Sequence, residues 1–170
     1  MNNLESQTYE VFETDPVKYE RYEMAILSAL KDMLAKRSNS NVLVSTGGET
    51  PVLLITVLGA GRGPLVAAVL RASSSLGIFV EVLAVEKNVN AVITLRNRVR
   101  TDCWTNVTVY SGDMRQLKVT ESKRADIIVS ELLGSWGDNE LSPECLDGSQ
   151  FCLKTDGESL ASVTLFHYFE

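Results

Sequence analysis

PVLLITVLGAGRGP, residues 51–64, joins a continuous apolar run to three glycines on alternate positions, Gly59, Gly61 and Gly63, and then to a proline. An unbroken apolar run with β-branched residues is the pattern of a strand buried on both faces, as in a parallel sheet. Glycines at its end permit positive φ and let a ligand approach the backbone. Pro64 suits the first turn of a following helix. Strand, glycine turn and helix, in that order, open a doubly wound α/β fold.

The alternation continues downstream. Residues 64–75 have a helical pattern, IFVEVLAVE (78–86) reads as a second strand, and 88–100 as a second helix with Val89, Val92, Ile93 and Val99 as apolar contacts. NVTVY (106–110) and ADIIVS (125–130) are the third and fourth strands. Upstream, residues 16–37 read as one amphipathic helix with Asp15 as N-cap and Pro16 at its first position. Its buried face is expected to be Tyr22, Ile26, Ala29, Leu30 and Met33. RSNSN (37–41) breaks that pattern, STGGET (45–50) is a loop, and Val42–Val44 fits no single class. Short connections then place the carboxyl ends of all strands along one edge.

Composition narrows the function. The chain has 170 residues, of which 45% are hydrophobic, enough for one domain with its own core. The apolar runs are too short to span a membrane, and the first ten residues lack the pattern of a signal peptide. Cys103, Cys145 and Cys152 form no CxxC pair, and His167 is the single histidine, so neither a disulfide frame nor a zinc site is expected. A net charge of −6 disfavours nucleic acid and favours a basic partner. The expectation is a globular protein of a reducing compartment.

Several residues along the ligand edge carry chemistry. The glycines are spaced GxGxG, which departs from the dinucleotide GxGxxG, and no P-loop lysine follows. A tight turn alone would explain them. Glu86, however, ends the second strand, where an acid can accept hydrogen bonds from both hydroxyls of a ribose. Asp113 and Met114 follow the third strand, offering an acceptor for an exocyclic amine and a thioether for an aromatic base. The set outlines a nucleoside pocket without a phosphate cradle, which favours an adenosyl sulfonium over a dinucleotide. SELLGSWGDNE (130–140) then brackets a glycine-containing loop with two acids, Glu131 and Glu140. Two carboxylates facing one pocket repel unless a cation lies between them. A hard metal would recruit further oxygen ligands, whereas a guanidinium pairs bidentately with carboxylates.

At this point the chain resembles the methyltransferase domain of the type II protein arginine methyltransferases, which make symmetric dimethylarginine. The resemblance rests on QTYEVFETDPVKYERY (7–22), VLGAGRGPLV (57–66), AVEKNVNAV (84–92), GDMR (112–115) and ADIIVSELLGSWGDNELSPECLDG (125–148). It implies the Rossmann-like fold of class I S-adenosylmethionine-dependent methyltransferases, with a cofactor-covering segment and helix at 1–37, a loop at 38–50, a core at 51–157 and a divergent tail at 158–170. It implies that Tyr9, Lys18 and Tyr19 cover the methionine part of S-adenosylmethionine, that Gly59 and Gly61 lie under it, that Glu86 holds the ribose, and that Asp113 and Met114 line the adenine pocket. Glu131 and Glu140 would hold the substrate guanidinium, and Phe12 would shape the space for the second methyl group.

The family pattern also includes a preceding TIM barrel and a following β-barrel, so a truncated or alternatively spliced product is expected here, without the Thr-His-Trp loop of related enzymes. By resemblance, the substrates are arginine-containing proteins such as Arg/Gly-rich tails, histones and RNA-processing proteins, in cytoplasm and nucleus. The family's propeller partner is not expected to bind this chain. The alternative reading is a non-catalytic S-adenosylmethionine-binding fragment or regulatory isoform.

Overall fold

A computed structural model describes residues 6–39, 52–132 and 142–160. Two helices, α1 (Ser6–Glu13) and α2 (Pro16–Asn39), precede an alternating core: β1 (Leu53–Leu58), α3 (Pro64–Ser75), β2 (Val80–Glu86), α4 (Val89–Thr101), β3 (Val107–Ser111) and β4 (Ala125–Ser130). A short helix α5 (Ser142–Asp147) leads to β5 (Leu153–Leu160). The strands pair in the order β3-β2-β1-β4-β5, and every pairing is parallel. This is the doubly wound sheet that the alternation predicts.

The helix boundaries follow from their residues. Asp15 Oδ1 accepts the Lys18 N–H at 3.1 Å, capping α2 with Pro16 in the first turn. Gly63, at φ 98°, precedes Pro64 and α3. Asn88 caps α4 by accepting the Asn90 N–H at 3.0 Å. Tyr22, Ile26, Ala29, Leu30 and Met33 are all buried, as the spacing predicts. They pack with Leu65, Val66 and Val69 of α3 on the sheet face that carries Ile55, Val57, Val82, Ala84, Ile127 and Val129.

Some expectations need correction. Val89 and Ile93 are exposed at 60% and 55%, and Val99 is half-buried; Ala91, Val92 and Leu95 make the buried face of α4. Helix α1 occupies residues for which no helix is expected. Strand β5 runs through Leu160, so the sheet extends past residue 157, where the core is expected to end. RSNSN does not break the helix where expected, since α2 continues through Arg37, Ser38 and Asn39; Ser40, Asn41, Val42–Val44 and STGGET lie outside the described residues.

The opposite face is covered differently. The β3–β4 crossover contains only 3₁₀ turns, at Met114–Gln116 and Glu121–Lys123. Leu58, Val85 and Ile128 are sealed there by Leu117, Cys152 and the half-buried Met114, Val119 and Leu146.

At the amino ends of the strands lies a buried acid. Asp126, 2% exposed, accepts from Arg37 Nη2 at 2.6 Å, Lys154 Nζ at 2.8 Å and the Leu54 N–H at 2.8 Å. One carboxylate thus ties α2, β1, β4 and β5. Removing it leaves two cations beside a buried amide, so Asp126→Ala should cost about 3 kcal/mol, read as a lowered midpoint in urea unfolding at unchanged slope. Asp126→Asn, which keeps an acceptor for Leu54, should lose less.

Candidate active site at the carboxyl ends of β1, β2 and β4

The chain runs from β1 outward to β2 and β3, then crosses back to β4 and β5, so strand order reverses between β1 and β4. Ligands of open α/β sheets bind in the crevice at such a reversal, beyond the carboxyl ends of the strands. The residues there are Gly59–Gly63 after β1 and Glu131 after β4.

The glycine turn is shaped for close contact. Gly59, Gly61 and Gly63 all have positive φ, at 70°, 54° and 98°. A Cβ on Gly61 would lie 3.3 Å from Tyr9 Cε1, so the Tyr9 ring lies across the turn. A Cβ on Gly63 would meet Leu95 Cδ1 at 2.7 Å, which makes the third glycine a packing requirement rather than a ligand contact. Tyr9 is held in place by its hydroxyl, which accepts from Asn88 Nδ2 at 3.2 Å. Arg62 pairs with Glu10 at 3.3 Å and Glu13 at 3.4 Å, fastening α1 over the same turn.

Glu86 closes the other side. Its Oε2 accepts the Gly61 N–H at 2.7 Å, and its Oε1 accepts the N–H groups of Lys87 at 2.8 Å and Asn88 at 2.7 Å. Three backbone donors leave about one of the four carboxylate lone-pair positions for a ribose hydroxyl. A second hydroxyl would require the Gly61 N–H to give way.

Asp113 lies next to this edge, since the Gly112 N–H donates to the Glu86 carbonyl at 2.9 Å. Its carboxylate takes Arg115 Nε at 3.0 Å and Nη2 at 2.7 Å, with Lys87 Nζ 3.5 Å away. Hydrogen bonding from Arg115 holds its carboxyl well below the usual carboxylate range. An incoming amine must share this acceptor with Arg115. Met114 is half-buried against the Leu58–Val85 core, so it serves the packing as well as the pocket edge. Cys145 lies within the field of the same charges, and burial pushes its thiol up.

On the β4 side, Glu131 Oε2 lies 3.7 Å from Lys18 Nζ, whose ammonium is also 4.8 Å from the Tyr19 ring centre. Tyr22 donates to the Ser130 carbonyl at 3.2 Å. Burial, and next the negative charge of Glu131, hold the Tyr19 and Tyr22 phenols above the ordinary range. Ser130 Oγ is buried without a hydrogen-bond partner, an unsatisfied polar atom at the strand reversal. The structure therefore brings together Tyr9, Gly61 and Glu86 at one part of the turn, and Lys18, Tyr19 and Glu131 at the other, where a Cβ on Gly59 would lie 3.8 Å from the Glu131 carbonyl. Glu140 and the Phe12 side chain lie outside the described residues.

Asn88 and Arg62 hold this edge together without having been singled out in the sequence, and Tyr22, expected only as an apolar contact, adds a hydrogen bond to it. An Asn opening a helical run is a readable cap, but its second bond to Tyr9 spans 79 positions and leaves no local trace.

A protein-family model described as PRMT5 arginine-N-methyltransferase matches residues 1–160. The chain belongs to this family. It is 55% identical over 160 residues to protein arginine N-methyltransferase 5 of Xenopus laevis, covering 94% of this chain and 24% of that protein. It is 52% identical over 163 residues to the protein of the same name from Oryza sativa subsp. indica, covering 95% and 23%. The skb1 arginine N-methyltransferase of Schizosaccharomyces pombe is 51% identical over 151 residues, covering 89% and 22%. The chain thus spans about a quarter of the length of these relatives.

Among solved structures, Arabidopsis thaliana protein arginine methyltransferase 10 matches at TM-score 0.53 and 22% identity, over 62% of this chain and 29% of that one. The Trypanosoma brucei PRMT1 enzyme-prozyme complex with AdoHcy matches at 0.54 and 18%, over 63% and 32%. These likenesses show the shared α/β fold.

The Glu86 geometry generates a prediction. Glu86→Ala strips the acceptor from three backbone donors and should cost about 3 kcal/mol of stability, whereas Glu86→Gln, which keeps one carbonyl oxygen, should lose clearly less. Thermal unfolding of the two variants beside the wild type measures the difference.

Proposed function

We propose that this chain is the catalytic α/β portion of a protein arginine methyltransferase, using S-adenosylmethionine to form symmetric dimethylarginine on protein substrates. The observation that carries this reading is Glu131 at the strand reversal, with the Glu86–Gly61 cradle one strand away. Family membership supplies its context.

The residues fit the cofactor. Glu86 retains an acceptor position for a ribose hydroxyl, Gly59 and Gly61 hold the turn at positive φ with Leu132 and Tyr9 packed against them, and Asp113 and Met114 would border the adenine end. Tyr9, Lys18 and Tyr19 would cover the methionine end. When bound, S-adenosylmethionine supplies an electrophilic methyl group on a sulfonium. The protein must then hold a second cation, the guanidinium, close to the first. Glu131, with Glu140 as its expected partner, would offset that repulsion and draw positive charge toward the nitrogens it holds. The remaining nitrogen keeps more electron density for in-line attack. Fixed charges aimed at the reacting group are commonly the largest catalytic contribution. The half-buried setting of Glu131, with 23% of its side chain exposed, strengthens that field relative to water.

The restriction to symmetric product is assigned to Phe12. Arg/Gly-rich tails, histones and RNA-processing proteins are the proposed substrates, in cytoplasm and nucleus. The relatives of this family are about four times longer than the chain, so competence is tested directly. The 170-residue protein should bind S-adenosylmethionine in calorimetric titration and transfer label to an Arg/Gly-rich peptide. Glu131→Gln should lower transfer at least about 100-fold while cofactor affinity stays within a few-fold. Mass analysis of the product should give symmetric dimethylarginine. Cofactor binding without transfer by the wild type would instead establish a non-catalytic binding module.

A further inference from the structure

The sheet face opposite α2 is thinly roofed. The β3–β4 crossover supplies only 3₁₀ turns, so the cover over β4 and β5 is the six-residue α5 and the 3₁₀ turn at Gln150–Cys152. So short a roof leaves a gap beneath it. A cavity of about 450 Å³ lies there, with Leu58, Ile128, Leu146, Phe151 and Leu153 as its apolar lining. That size is within the range of small-molecule sites. Phe151 is 39% exposed, so an occupant would also cover apolar surface that faces water.

One charge in the lining is unanswered. Arg124, the residue before β4, borders the cavity, and its Nε is buried without a hydrogen-bond partner. Among the described residues no carboxylate pairs with it. The other lining cation, Lys154, is engaged by Asp126 at 2.8 Å. Burial raises the Cys152 thiol and the Arg124 charge opposes that rise, so the field of the guanidinium reaches the core beside the cavity.

A guanidinium N–H withheld from water costs free energy until it meets an acceptor. A carboxylate answers it best, because the planar fork can bind both oxygens at once. One unanswered cation calls for one negative charge, and the apolar lining calls for hydrocarbon behind it. A dicarboxylate or a phosphate ester would bring charge that the lining does not neutralise. The charged part of the cavity is also remote from the crevice. Arg124 stands six positions before Ser130 along β4, about 20 Å of extended strand, and Lys154 lies at the start of β5.

We propose that this cavity is a second ligand site, for a small apolar monocarboxylate of the fatty-acid type, with Arg124 pairing the carboxylate and the leucines, Ile128 and Phe151 holding the hydrocarbon. The inference stands independently of the methyltransferase reading.

The probes are octanoate, octanol and octylamine, which share one hydrocarbon body and differ in the charge of the head group. In calorimetric titration of the 170-residue chain, octanoate should bind at least about tenfold more tightly than octanol, and octylamine more weakly than either. Arg124→Gln should bring octanoate to the affinity of octanol and leave octanol unchanged. Arg124→Lys, which keeps the charge without the fork, should retain a preference for octanoate. Phe151→Ala should weaken octanoate and octanol by the same factor. Saturating S-adenosylhomocysteine should leave the octanoate affinity unchanged.

A wild type that binds octanoate no better than octanol overturns the proposal, as does one that binds neither. An Arg124→Gln variant with the circular dichroism of the wild type and an undiminished preference for octanoate overturns it too. Displacement of octanoate by S-adenosylhomocysteine would put the acid in the crevice at the strand reversal, and the second site would fall.

Discussion

The ligand edge of this protein depends on one carboxylate. Glu86 ends β2, accepts the Gly61 N–H from the neighbouring turn, and holds the N–H groups of Lys87 and Asn88 that begin the approach to α4. It therefore sets the glycine turn and the start of α4 at once, and through Asn88 it fixes the hydroxyl of Tyr9. A residue that reads as a ligand group is equally a keystone of the backbone. The two roles are compatible because a carboxylate accepts several hydrogen bonds without rearrangement. The site is consequently preformed on the β2 side, while on its β4 side α2 contributes the Lys18–Glu131 ion pair and the Tyr22–Ser130 hydrogen bond.

The protein manages charge differently at its two ends. At the amino edge, Asp126 is almost fully buried and is answered by two cations and an amide. At the carboxyl edge, carboxylates at Glu86, Asp113 and Glu131 gather where the strands end, with cations drawn from α2 and the turns.

Much of this was legible in the sequence for local reasons. The β1–turn–α3 unit is written in adjacent residues, and the strand, the glycines and Pro64 all reappear where their chemistry puts them. The α2 stripe was readable because five apolar residues recur at helical spacing against one sheet face. Val89 and Ile93 misled because apolar character does not by itself say which side of a helix faces inward; Ala91, Val92 and Leu95 take that side of α4. Asp126 was invisible as a clasp because its partners are 28, 72 and 89 positions away. Glu131 and Glu86 could be placed because strand ends are legible, but the lysine beside Glu131 comes from a helix more than a hundred positions earlier, and no spacing rule links them.

The parallel order of the sheet also has a consequence in time. β1 is the central strand, and one of its partners, β4, is complete only at Ser130, more than seventy residues after β1 ends. No hairpin can form the sheet piecemeal, since every pairing bridges an intervening crossover. During synthesis, β1 to β3 with their two helices therefore emerge with one edge of β1 unsatisfied, displaying a strongly apolar strand. The α2 helix, already made, can cover one face of that intermediate but not its edge. Chaperones that recognise exposed apolar strands would meet this protein between its third and fourth strands, and the acid that ends the fourth is among the last parts of the crevice to be set in place.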